Sequence, residues 1–463
     1  MKTTGTATDG AIDQESAPAG QVPAMTRRRL LDGWSAAVMA AGGVALGACG
    51  VTQRGSSQGP RQLTNESITL TWASPGNQQE LEVYQKVAEN FTKLYPNIKV
   101  VNDAPASGLD KMTALMASGS LPEIIFRTIN DWPMFAVKNV WLALDDLIKR
   151  DRFDLQDFFP QIVKPYRYDG KRFGEGKLYG LPKEIACRAM YYNLDHFQDA
   201  GVKPPAPDTP WTWDEFRQAA RRLTKRTGET VQQYGYAMET WWAMWGIWAW
   251  ANGGEMVDDP WAPTKATMDT PAVIDALDFW GGLVAKEKVA PPLSAYRDLG
   301  KSDHFAQGKA SMYNNGRWMV PLFRRSTFRW DVMLMPKGKQ RAQFLSGSIF
   351  GVSATAKRRD ESWELLKFIS SKEAQTLMTE LGLLFPSRQS VARSDIFLKS
   401  RPPEHNEVFL KDVEVARILP LHPRYPEMQR AVDKESDAVL NGEKTAADAA
   451  REMTIQVNLL LKG

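Results

Sequence analysis

Ile68, Leu70 and Trp72 alternate with Thr69 and Thr71, the two-residue period of a strand with one buried face. Ser74-Pro75-Gly76-Asn77 breaks that period. Leu81, Tyr84, Val87, Ala88, Phe91 and Leu94 then recur at helical spacing until Pro96-Asn97, and Ile98 to Val101 reads as the next strand. This is a β-α-β unit with a right-handed crossover. Leu109, Met112, Leu115 and Met116 mark a short helix closed by Gly119, and Glu123 to Phe126 a third strand. Strands alternating with helices predict an α/β lobe on a mostly parallel sheet. Ligands gather at loops off the carboxyl ends of such strands, here Ser74 to Asn77 and Arg127 to Asp131.

Farther on, Lys177 to Pro182 leads into a strand over Ala189 to Asn193. Thr212 with Glu215 forms a capping-box pattern at a helix start. From Tyr234 to Asn252 the chain is dense in aromatics, with Trp241, Trp245 and Trp248 on one helical face and Trp242 pointing elsewhere; Gly253-Gly254 ends the segment. Residues 271–289 and 361–381 read as amphipathic helices. The stretch from about Pro426 to Leu461 reads as helix interrupted at Asn441-Gly442. No internal repeat is visible.

Composition narrows the function. A length of 463 residues asks for two or three lobes. A net charge of +4 implies neither nucleic acid nor an anionic membrane surface as partner. Two Cys exclude a disulfide framework, and four His without ligand spacing give no metal site; no cofactor is expected. Cys187 reads as a buried thiol. With 16 Trp, more than a core requires, a surface that uses flat aromatic faces is expected, while any single Trp reads first as core.

The N-terminal region supplies an address. Arg27-Arg28-Arg29-Leu30-Leu31 precedes a mild apolar run from Trp34 to Leu46 and then Leu46-Gly47-Ala48-Cys49. A basic start with a short apolar stretch is an export signal, too short for a membrane span. The arginines resemble a twin-arginine signal, and the last four residues resemble a lipobox whose Cys49 carries lipid. Met25 stands directly before this pattern as an alternative start to Met1. Residues 1–48 are therefore read as export signal and 49–66, rich in Gly, Ser and Gln, as a flexible tether. The protein is expected outside the cytoplasm, held to the outer face of the cytoplasmic membrane by its lipid or free in a periplasm.

Several stretches in order resemble the family 1 extracellular solute-binding proteins of ABC importers, the group of the maltose-binding protein. They are Phe91 to Val100; Lys111 to Ile125, with Glu123 where the family has Asp; Gly176 to Pro182 followed by Tyr191-Tyr192-Asn193; Trp211 to Phe216; Gly308 to Trp318; Ser346-Gly347-Ser348; and Phe385-Pro386-Ser387-Arg388. The likeness runs over about residues 67–463. It implies an α/β, two-lobe, periplasmic-binding-protein-like fold of type II with hinge-linked lobes and a ligand cleft between them. Lobe one is placed at 67–183 plus 341–382, lobe two at 184–340 plus 383–463.

A sugar shows hydroxyls on its edges and C–H patches on its faces, so a closed cleft needs polar partners and aromatic planes. The resemblance puts Trp241, Trp242, Trp318 and Tyr425 forward as planes. Ser74, Asn77, Arg127, Asp131, Glu184, Asn315 and Ser348 are the polar candidates. Asp131 is equally readable as a helix cap, Arg127 and Glu184 as ion-pair partners, and Asn315 as a turn residue. The implied function is a monomeric, non-catalytic lipoprotein that captures a mono- or oligosaccharide and delivers it to membrane permease subunits. No P-loop is present, so the ATPase is another chain. Three alternatives stay open: the same fold binding a glycerol phosphate through Arg127 or Arg388, an extracellular glycosidase using Asp131 and Glu184, and a signalling role in which a receptor reads the closed form.

Overall fold

The computed structural model describes residues 63–76 and 78–462. The export segment, Cys49, most of the tether and Asn77 lie outside the described residues. Regular bonding begins within the span read as tether: Thr64 N donates to Glu361 Oε1 at 3.0 Å, and Arg358 pairs with Glu66 at 2.6 Å.

Lobe one starts with β1 (Ile68–Ala73), α1 (Gln78–Leu94), β2 (Ile98–Asn102), α2 (Leu109–Ser118) and β3 (Ile124–Thr128). Strand β1 pairs in parallel with both β2 and β3. Helix α1 buries Tyr84, Val87, Ala88 and Phe91, each large side chain stabilising by roughly 1.5–3 kcal/mol. Helix α2 ends at Gly119, whose φ of 69° is the left-handed cap that favours glycine.

The chain continues through β4 (Leu181–Ala186), β5 (Ala189–Asn193), α3 (Trp213–Leu223), α4 (Trp242–Ala251), α5 (Pro271–Ala285), β6 (Met312–Asn315) and β7 (Trp330–Met333). It closes with β8 (Ser346–Val352), α6 (Arg359–Ile369), α7 (Lys372–Glu380), α8 (Tyr425–Leu440) and α9 (Ala446–Lys462). The lobe-one sheet runs β2-β1-β3-β8-β4, with β8 antiparallel to both neighbours. The lobe-two sheet runs β6-β5-β7 and is antiparallel throughout. The expectation of mostly parallel pairing is thus corrected. Strand β8 comes from late in the chain and is buried on both faces, so it shows no alternation. Its Gly351 lets it lie close: an added Cβ would stand 2.6 Å from the Trp141 ring and from the Tyr179 carbonyl.

Local signals behaved as physics requires. Thr212 and Glu215 cap α3 reciprocally. The helical stretch at 361–381 is two helices, because Ser371 caps a new one through Ala374 N at 3.1 Å. The break at Asn441-Gly442 stands, with Gly442 at φ 73°. Helix α4 is buried along its whole length, which explains its lack of a polar face.

The lobes join at three places. Strand β4 stays in the lobe-one sheet to Ala186, past the expected boundary at 183, and the chain crosses at Cys187-Arg188. It returns between Gln343-Phe344, paired with Ala416-Arg417, and Ser346. The stretch after α7 packs on both sides rather than on lobe two alone. Pro386 bridges to Glu184, while the lobe-two Arg317 donates to the carbonyls of Gly382 and Leu384 at 3.0 and 3.2 Å.

One carboxylate ties α8 to α4. Asp433 Oδ1 accepts from Trp242 N at 2.7 Å and Oδ2 from Gln429 at 3.2 Å. Burial, with Asp437 adding to it, pushes its pKa up to about 6. A carboxyl held above its unfolded value near 3.9 favours the fold when protonated, so stability rises as pH falls from about 6 toward 4 and is lost above. Asp433→Asn is expected to stabilise the protein at pH 7.5 by about 1–3 kcal/mol and to flatten that slope. Urea denaturation at several pH values checks both.

Candidate functional site

A cavity of about 790 Å³ lies between the two sheets. Lobe one contributes the loops after β1 and β3, where parallel strands aim their carboxyl ends: Pro75 and Gly76 from the first, Thr128 to Asp131 from the second. Lys183 and Glu184 come from β4, Gly347 and Ser348 from β8, and Glu80 from the start of α1. Arg188, Phe344 and Ser346 line it at the crossings. Lobe two adds Trp241, Trp318, Tyr425 and Gln429.

The aromatic wall has a local logic. Trp318 sits in the turn after β6 and folds its ring back over Gly316. A Cβ there would stand 2.1 Å from the ring, so the glycine two residues earlier is what admits the tryptophan. Trp241 caps α4 and meets Phe344 edge-on at 5.5 Å. Tyr425, first in α8, stacks on Trp242 at 5.9 Å with planes 5° apart. Its hydroxyl and Asn130 Nδ2 are both buried, and the Asn130 side chain interacts with the phenol. Burial raises the Tyr425 pKa, so the group stays a neutral phenol.

The polar wall faces it. Glu184 Oε1 accepts from Lys183 Nζ at 3.2 Å and from Ser348 Oγ at 2.8 Å. Lys183 lies between the rings of Tyr84 and Phe126, at 5.5 and 5.4 Å. Burial works against its charge, but Glu184, Tyr84 and Glu80 outweigh that and hold its pKa above the ordinary lysine value. Asp131 accepts from Thr128 Oγ1 at 2.8 Å. Burial raises its pKa, while Arg127 and Thr128 oppose the rise.

Of the residues singled out from sequence, Asp131, Glu184, Trp241, Trp318, Ser348 and Tyr425 line this cavity. Four others do not. Ser74 is buried and its backbone is tied to Asn102 at 2.9 Å, so the next two residues take the wall instead. Arg127 points inward, its Nη1 on the Ser107 carbonyl at 2.7 Å and its guanidinium 4.5 Å from the Phe135 ring. Trp242 is core beneath Tyr425, because α4 begins there and its first residue faces inward. Asn315 is engaged by Tyr313 Oη at 2.7 Å and Glu239 at 3.3 Å, while its Oδ1 accepts from Gly316 N at 2.8 Å. Arg388 is also away from the cavity, bonded to the Ser370 carbonyl at 2.7 Å and to Asp157 at 3.2 Å.

Sequence reasoning missed Lys183, Arg188, Glu80, Phe344 and Gln429, and held Asn130 only as part of the Arg127 to Asp131 loop. For two of them the signal was present: Lys183 and Arg188 are cations bracketing the apolar run of β4 and its crossing. Gln429 stands one turn after Tyr425 on the same helix face. No group of His, Cys, Asp and Glu among the described residues is placed to hold a metal ion. No helix among them is long and apolar enough to cross a membrane.

Comparison with known proteins agrees with this geometry. A family model for bacterial extracellular solute-binding proteins matches residues 75–376. The lactose-binding protein of Rhizobium radiobacter is 24% identical over 323 residues, 65% of this chain and 70% of its own. The maltotriose-binding protein of Pyrococcus abyssi is 22% identical over 382 residues, 79% of this chain and 76% of its own. Among solved structures, an ABC substrate-binding protein of Listeria monocytogenes in complex with cycloalternan has a TM-score of 0.76 and 23% identity, covering 86% of this chain and 99% of that one. A Mycobacterium tuberculosis protein in complex with glycerophosphocholine has a TM-score of 0.73 at 17% identity, covering 86% and 99%. The fold is the two-lobe one of periplasmic sugar-binding proteins. By the span of the family match and the lobe architecture together, the chain belongs to the bacterial extracellular solute-binding protein family.

Proposed function

We propose that the protein captures a carbohydrate in the cavity between its lobes and delivers it to the permease of an ABC importer. The observation that carries this reading is the cavity's two-sided wall: Trp241, Trp318 and Tyr425 on one side, Glu184, Asp131 and Ser348 on the other. Aromatic planes cover the C–H faces of a sugar ring, and carboxylates and hydroxyls bond its edges. The same walls belong to different lobes, so a ligand that touches both favours the arrangement in which they approach. Relatives that bind lactose and maltotriose support the ligand class.

The mechanism follows from the crossings. Each lobe has its own sheet, and the chain passes between them at Cys187-Arg188, at Gln343 to Ser346 and beyond α7. Rotation there opens and closes the cavity without disturbing either sheet. The permease reads the closed form, and ATP hydrolysis on another chain drives transport. Lobe-crossing architecture and family membership support binding over hydrolysis; release of a reducing end on incubation with bound sugar would establish the glycosidase reading instead. A phosphate-bearing solute is the second reading, favoured by Arg188 and Lys183 at the cavity wall. The arginines first considered for that role, Arg127 and Arg388, lie outside the cavity.

Export and anchoring complete the proposal: the arginine-led segment directs export, and Cys49 carries the lipid. In a native host, Cys49→Ser is expected to move the protein from the membrane fraction to the soluble one. Retention on the membrane would remove the lipid assignment.

For the ligand, a thermal-shift panel of mono- and oligosaccharides, polyols and glycerol phosphates is expected to give a shift with a carbohydrate. At 100 times the dissociation constant the gain is about 2.7 kcal/mol. Trp318→Ala is expected to weaken that binding at least about tenfold, roughly 1.4 kcal/mol, with the apo melting temperature little changed. A shift with glycerol phosphates alone would move the assignment to the second reading.

A further inference from the structure

One charge in the cavity has no counter-charge. Arg188, at the first crossing, is 4% exposed. Its guanidinium lies 4.7 Å from the Trp318 ring, 5.1 Å from Phe344 and 6.0 Å from Trp241. Nη1 donates to Ser346 Oγ at 2.6 Å, and Nε is buried with no partner among the described residues. No carboxylate among them forms an ion pair with it. The acidic groups that feel its charge are committed elsewhere: Glu184 to Lys183 at 3.2 Å, and Glu239 to Lys301 at 3.7 Å. The Cys187 thiol beside it is pushed up by burial and carries no charge at neutral pH. Burial also lowers the Arg188 pKa, to about 10, which leaves the guanidinium charged at neutral pH.

A buried cation without an anion costs several kcal/mol, and a guanidinium edge with a free Nε–H matches a carboxylate or phosphate in a two-bond fork. Glu80, Asp131 and Glu184 also line the cavity, and Glu184 accepts from Lys183 and Ser348, an arrangement suited to hydroxyls. We propose that the ligand is an acidic carbohydrate derivative whose anionic group pairs with the Arg188 fork while its hydroxylated ring lies between the aromatic wall and the Glu184 side. This rests on the carbohydrate-capture reading and names the class of solute it takes. Arg188 is then the specificity-determining residue, with Trp318 and Phe344 holding its plane and Ser346 fixing its rotation.

The anion has two chemical sources, a uronate carboxylate and a phosphate ester, and the test separates them. Purified protein is titrated calorimetrically with neutral oligosaccharides, with uronate-containing oligosaccharides and with sugar phosphates, at low and high salt. The expected result is that one anionic set binds at least about tenfold more tightly than its neutral counterpart. That preference shrinks as salt rises. In Arg188→Gln the anionic-to-neutral ratio collapses toward one, and in Arg188→Lys it is partly kept, since a point charge remains without the fork. Should Arg188→Gln fail to fold, Arg188→Met keeps the packing on Trp318, and the salt dependence of the unaltered protein stands as an independent readout. Neutral sugars binding as tightly as acidic ones, with no salt dependence, would overturn the acidic class and leave carbohydrate capture standing. Binding by no carbohydrate of any charge would overturn both.

Discussion

The tie at Arg188 organises the molecule. Its carbonyl accepts from Gln343 Nε2 at 2.7 Å, and its side chain donates to Ser346 Oγ. A single residue on the outgoing crossing thus holds both ends of the returning one. Gln343 also reaches Asp412 at 3.2 Å, and that carboxylate is anchored by Arg341. Buried polar groups of this kind are stable only when partnered, so the crossings are held in one register by hydrogen bonds rather than by apolar packing alone. Every wall of the cavity is placed relative to that register. Strand β4 presents Lys183 and Glu184 before the tie, β5 carries the lobe-two sheet after it, and β8 presents Ser348 just beyond its return.

Rigidity on either side gives the hinge its use. Lobe two is filled by Trp245, Trp248, Trp250 and Trp280, all buried, and lobe one by Trp72, Trp132 and Trp363. Such cores move as bodies. The abundance of tryptophan that first pointed to a binding surface is mostly a packing device, and Trp241 and Trp318 are the tryptophans on the cavity wall. Trp242 belongs to both descriptions: buried itself, it supports the ring of Tyr425 that lines the cavity.

Much of this was legible in the sequence where structure is local. The period of Ile68 to Trp72, the Thr212 capping box and the break at Gly442 follow from neighbouring residues alone. The Gly316-x-Trp318 pair was legible as a motif, and its reason emerged only in space, where the ring folds over the glycine. Strand β8 was hidden because a strand buried on both faces has no alternation. The helical spacing set Trp241 on one face with Trp245 and Trp248, but the helix begins only at Trp242, so Trp242 is buried with Trp245 and Trp248 while Trp241, before the first turn, stands on the cavity wall. Arg127 has the chemistry of a ligand residue, yet the burial of β3 on both faces turned it toward Ser107. Lys183 and Arg188 were overlooked because a charge in an apolar run looks like an interruption until the fold shows what it faces.

The central claim is that capture closes the two lobes about the Arg188 crossing. Small-angle X-ray scattering of the protein alone and with a saturating ligand tests it most directly. A smaller radius of gyration in the complex, with secondary structure unchanged by circular dichroism, is the predicted result. Identical scattering profiles at proven saturation would contradict it.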